Sequence, residues 1–114
     1  MKTFQEYSEA VWQFASYPQR GNNLIYPALG LNGEAGEVAE KVKKLWRNHG
    51  ETGASGITAE KKEELIKEVG DVLWYVNAMC RELEVPLEEV AAKNAAKLAD
   101  RAARNVIKSE GDNR

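Results

Sequence analysis

The chain has one cysteine, one histidine and three prolines, and no apolar run long enough to span a membrane. Each shortage removes a class of function. Cys80 alone cannot form an intrachain disulfide, and on the apolar side of a helix it reads as a small buried hydrophobe, not a nucleophile. His49 alone, in a glycine-rich stretch, leaves no ligand set for zinc and no Glu-x-x-His pair of the ferritin-like di-iron kind. There is no EF-hand loop and no Walker-type phosphate loop. Apolar runs fall short of the roughly 20 residues of a membrane span, and the N-terminus has no signal-peptide pattern, so a cytoplasmic location is expected. A net charge of −2 provides no electrostatic footprint for nucleic acid or an anionic membrane surface.

What remains is helical. Hydrophobic content of 43% with 30% charged residues fits a soluble folded domain, and 114 residues predict one domain over 1–114. Thr3-Phe4-Gln5-Glu6 reads as a capping box for a short first helix ending before Pro18. SYPQRGNN is a loop by composition. A second helix is expected to start between Pro27 and Gly30 and to run to about Asn48. Asn48–Gly56 is the clearest breaker and is expected to be a mobile surface connection. Thr58 is placed to cap a third helix running to about Glu84. Pro86 then opens an alanine-rich fourth helix reaching about Ile107, with an extended tail after it. The fold class is all-α, a bundle of about four helices, with a short third-to-fourth link that favours antiparallel neighbours. Such a core is thin for one chain. A homo-oligomer, dimer or tetramer, is therefore expected, and Trp74 and Trp46 can serve surface packing, a subunit interface or base stacking.

The third helix organises the rest. Leu65, Val69, Val72, Val76, Met79 and Leu83 make its apolar stripe. Glu64, Glu68, Asp71 and Tyr75 share an adjacent arc of about 60°. The second helix repeats the arrangement with Glu34, Glu37, Lys41 and Lys44 beside Leu31, Val38, Val42 and Leu45. The fourth carries Asn94, Lys97 and Arg101 on one arc. A single E-x-x-E on a helix is ordinarily a solvated face, and pairs such as Glu40 with Lys44 contribute only a few tenths of a kcal/mol. Two acidic pairs on two helices, each bordering the apolar stripe, are another matter, because carboxylates there need a cation to meet them. Gly30, Gly33, Gly36 and Gly70 cost about 1 kcal/mol each in a helix interior, which points to close backbone approach or room for a ligand. Oxygen-only ligands select a hard cation (Mg²⁺, Mn²⁺ or Ca²⁺), and nearby Lys and Arg suit phosphate. The residues by themselves lead to a metal-dependent phosphate or polyphosphate site.

At these positions the sequence resembles the MazG-type nucleotide pyrophosphohydrolases of the all-α NTP pyrophosphatase superfamily. The resemblance lies in LGLNGEAGEVAEKVKKLWR (Leu29 to Arg47), ELIKEVGDVLWYV (Glu64 to Val76) and NAAKLADR (Asn94 to Arg101), with GDNR (Gly111 to Arg114) similar to the ends of short members. It implies that Glu34, Glu37, Glu68 and Asp71 hold Mg²⁺, with Mn²⁺ a possible substitute. It implies that Asn94, Lys97 and Arg101 face the triphosphate and that Tyr75 borders the nucleotide pocket. Gly33 departs from the family, standing where many members carry a further glutamate, and the Asn48–Gly56 stretch makes the gap between acidic pairs slightly long.

The implied reaction is water attack on the α-phosphorus of a nucleoside triphosphate, giving monophosphate and pyrophosphate. Glu37 is the expected proton acceptor, with Glu34 or Glu64 as rivals; Lys97 and Arg101 would stabilise the leaving group. Base contacts are expected from residues 17–32 and Trp46, and Lys44 adds a cation near the acidic pair. Two other readings share the fold: hydrolysis of phosphoribosyl-ATP, and a non-catalytic helical interaction module.

Overall fold

The computed structural model describes residues 1–104 of the chain. Its helices are α1 (Phe4–Trp12), α2 (Ile25–His49), α3 (Ala59–Glu82) and α4 (Leu87–Ala103), with no strand among the described residues. The expected continuation of α4 to Ile107, the extended tail and the GDNR motif lie outside the described residues.

The start of each helix follows local chemistry. Thr3 caps α1, its Oγ1 accepting the Glu6 N–H at 3.1 Å. The return arm of the expected capping box lands one residue early: the Glu6 carboxylate accepts from the Lys2 N–H at 3.2 Å. Thr58 caps α3 as expected, accepting the Lys61 N–H at 3.1 Å. α2 begins before its expected start. Asn23 Oδ1 accepts from the N–H groups of both Ile25 and Tyr26 at 3.1 Å, so the helix is nucleated upstream of Pro27. Pro27 then occupies the first turn, where its missing N–H has no intrahelical partner to lose. Pro86 stands immediately before α4 rather than within its first turn.

Within the Asn48–Gly56 connection, Gly50 adopts the left-handed conformation (φ 69°), ending α2, and a short 3₁₀ turn spans Ala54–Gly56.

The α2–α3 pair is the frame of the molecule. Gly30 meets Tyr75, Glu34 meets Asp71 and Lys41 meets Glu68, so the two helices run antiparallel. The small buried core of Ala15, Tyr17, Ala78, Cys80 and Leu87 gathers the loop after α1, the C-terminal half of α3 and the start of α4. Burial pushes the Cys80 thiol upward, consistent with an inert packing role. α4 packs on α1 and α3, and residues 89–100 stay exposed. Much of α2 and α3 is also uncovered: Leu29, Val42, Trp46, Ile66 and Val69 are exposed apolar residues.

Candidate metal and nucleotide site

Helical spacing puts Glu34 on the α3-facing side of α2, and Glu68 and Asp71, three residues apart, on the α2-facing side of α3. The antiparallel register brings one oxygen from each of these three carboxylates within 4.8 Å of the others. Glu34 carries the electrostatic cost. Desolvation pushes its carboxyl upward, and the charges of Asp71, Glu68 and Glu37 push the same way. Three of the four expected metal ligands thus meet. Glu37 acts on Glu34 through its charge but lies outside the three-carboxylate group and is exposed.

Lys41 faces the group, its Nζ 3.5 Å from Glu68 Oε1. Lys44 is paired with Glu40 at 3.6 Å, and Glu64 with Lys61 at 3.5 Å. Lys41, Lys44, Lys61, His49 and Glu64 line a cavity of ≈ 290 Å³ beside the group, toward the C-terminal end of α2. One flank of the carboxylates is therefore basic.

The other flank is aromatic. Tyr75 sits one turn beyond Asp71, and its phenol is pushed upward by burial, by the adjacent Tyr26 hydroxyl, and by the charges of Glu34 and Asp71. Tyr7 of α1 also approaches: burial and the Asp71 charge raise its phenol. Tyr26 lies 6.4 Å from Tyr75 between ring centroids and stacks on Tyr17 at 4.8 Å with an 8° interplanar angle. Trp74 meets the Tyr75 ring edge-on at 5.0 Å. Of the readings open for Trp74, packing within the chain is the one this contact serves.

The remaining expected residues differ in exposure. Trp46 is exposed and lies about 18 Å along the α2 axis from Glu34. Asn94 and Lys97 are on the exposed stretch of α4, whereas Arg101 is buried at 3% exposure. Glycine divides similarly. A Cβ at Gly30 would overlap the Tyr75 ring, which explains that glycine, while Gly33, Gly36 and Gly70 have nothing within 4 Å.

Sequence reasoning missed Tyr7 and Glu82, and reached Tyr26 only as part of the 17–32 stretch expected to contact the base. The Glu82 carboxylate accepts from the Tyr17 hydroxyl (2.7 Å), the Gly21 N–H (2.7 Å) and the Asn23 N–H (3.2 Å). Partners so distant in sequence leave no periodic signal. A run of tyrosines on both sides of a Pro-Gly loop was the available hint.

A family model described as the MazG nucleotide pyrophosphohydrolase domain matches residues 26–106, a span holding all three clustered carboxylates, Glu37, and the Asn94, Lys97 and Arg101 set. Over 113 residues the chain is 42% identical to the "Gene 37 protein" of Mycobacterium phage L5, covering 95% of this chain and 96% of that protein. No solved structure matches the chain significantly.

Proposed function

The chain belongs to the MazG nucleotide pyrophosphohydrolase family, and from that premise we propose that it hydrolyses nucleoside or deoxynucleoside triphosphates to the monophosphate and pyrophosphate. The observation that carries this reading is the meeting of Glu34, Glu68 and Asp71, from two helices, within 4.8 Å. The donor set fits a hard dication: it is all oxygen, and the burial and mutual repulsion that raise the Glu34 carboxyl are what a cation relieves. Glu34, Glu68 and Asp71, joined by Glu37, would hold Mg²⁺, with Mn²⁺ as a substitute. When bound, the metal supplies phosphate-charge neutralisation and a lowered pKa for coordinated water.

The chain's own residues supply the rest. Glu37 is the carboxylate least engaged with its neighbours, and it takes a proton from the attacking water. The water oxygen bonds to the α-phosphorus, and the bond from that phosphorus to the bridging oxygen breaks. Lys41 and Lys44 stand on the basic flank to offset charge on the departing pyrophosphate. The family resemblance adds Lys97 and Arg101 to that task, turns Asn94 toward the triphosphate, and puts Tyr75 beside the nucleoside. The uncovered apolar face of α2 and α3 supports a homodimer or homotetramer.

The test is a panel of the eight common NTPs and dNTPs with Mg²⁺. Equimolar monophosphate and pyrophosphate are expected from at least one substrate. Release of orthophosphate alone, or no turnover of any member, would contradict the reading.

A further inference from the structure

One carboxylate outside the cluster accepts three long-range hydrogen bonds, and the reaction above does not use it. Glu82, near the C-terminal end of α3, accepts from Tyr17, Gly21 and Asn23, which lie 65, 61 and 59 residues away in sequence. Asn23 in turn accepts from Ile25 and Tyr26, so the clamp and the start of α2 share a residue. Tyr17 carries the constraint further, because its ring stacks on Tyr26 at 4.8 Å, and Tyr26 neighbours Tyr75. Tyr75 is held from behind by the bare backbone of Gly30. A continuous chain of contacts therefore runs from Glu82 to the ring bordering Glu34 and Asp71.

The two flanks of the carboxylate group give a substrate only one sensible direction. A triphosphate is multiply anionic and belongs beside Lys41, Lys44 and Lys61. The nucleoside is uncharged and offers a π-face, which belongs beside tyrosines. Tyr26 keeps 41% of its surface exposed despite stacking on Tyr17, so it is available to a ligand there.

We propose that Glu82 is a positioning residue for the nucleoside end of the substrate: by pinning Tyr17 and the 21–23 turn, it holds Tyr26 and Tyr75 as a fixed wall beside the carboxylates. This rests on the hydrolase reading. Glu82 touches no reacting atom, so its effect falls on binding of one part of the ligand and not on the chemical step.

The experiment compares wild type with Glu82→Gln, Tyr17→Phe and Tyr26→Ala in kinetics and in calorimetric titrations with two product probes and Mg²⁺. The probes are a nucleoside monophosphate and inorganic pyrophosphate. Glu82→Gln is expected to raise KM, and to weaken monophosphate binding, by about tenfold, as loss of charge-assisted hydrogen bonds would. Its kcat should stay within about twofold, and pyrophosphate affinity should not change. Tyr17→Phe, which removes one of three donors, is expected to weaken monophosphate binding by about threefold. If Glu82→Gln fails to melt cooperatively, Tyr17→Phe and Tyr26→Ala carry the test by the same selectivity. Unchanged monophosphate affinity, or an equal loss for both probes, would overturn the proposal. A wild type that releases no pyrophosphate from any triphosphate would instead sink the hydrolase reading.

Discussion

The ring of Tyr75 occupies the space that a side chain at Gly30 would need. This contact locks α2 to α3 one turn from Glu34, and it makes the helical glycines unequal. Gly30→Ala should lose about 1–3 kcal/mol to overpacking, against about 1 kcal/mol regained in helix propensity. Gly33→Ala meets nothing within 4 Å, so only the propensity gain applies. Thermal melts are expected to rank Gly33→Ala above wild type and Gly30→Ala below it. The reverse order would mean that the Tyr75 ring does not rest there.

Mutual repulsion among Glu34, Glu68, Asp71 and Glu37 predicts what removing one charge does. Without metal, Glu34→Gln should melt no lower than wild type, because the most strained carboxyl is gone. Mg²⁺ at a hundredfold its dissociation constant should stabilise the wild type by about 2.7 kcal/mol, and chelation should reverse that gain. The variant should lose most of the Mg²⁺ response. A full response in Glu34→Gln would remove this residue from the site.

The pH dependence of stability tests the Glu82 clamp. Burial works upward on its carboxyl, but hydrogen bonds from Tyr17, Gly21 and Asn23, with the Arg20 charge, outweigh it, and the net shift is down. Its folded pKa therefore lies below its unfolded value of about 4.3. The stabilisation is present above that unfolded value and is lost as pH falls through the lower folded one. Glu82→Gln should melt below wild type at pH 7, and the gap should close between about pH 5 and pH 3. Parallel melting curves across that range would show that the hydrogen bonds contribute no net stability.

How much of this was legible in the sequence depends on how far apart the partners are. Thr58 and Thr3 cap their helices because capping is decided within three residues, which any reader of the chain sees. The carboxylate group was legible too, since 3.6-residue periodicity assigns faces and two acidic faces beside apolar stripes must pack together. Glu37 shows the limit: a shared arc does not decide which of two carboxylates reaches the partner helix. α2 starts ahead of its expected position because Asn23 caps it from outside the helix, ahead of a proline that composition treats as a boundary. Lys41 finds its partner through helix-to-helix register and Glu82 finds its partners through the path of the loop before α2, and periodicity reports neither.

The exposed apolar residues of the α2–α3 pair predict assembly. Ile66 and Val69 are each more than half exposed, beside Val42, and Trp46 is exposed one turn further along α2. Light scattering across a dilution series should give a mass above one chain, and Ile66→Lys should shift it toward the monomer. A wild type that stays monomeric at high concentration would contradict this.

The most direct measurement of the central claim is pyrophosphate release by wild type, Glu37→Gln and Asp71→Asn on the preferred triphosphate with Mg²⁺, with folding checked by circular dichroism. The account predicts that both variants remain helical and that each loses activity by at least a hundredfold, on the order expected when a general base or metal ligand is removed. Near-wild-type release of pyrophosphate by both variants would show that these acids do not do the chemistry.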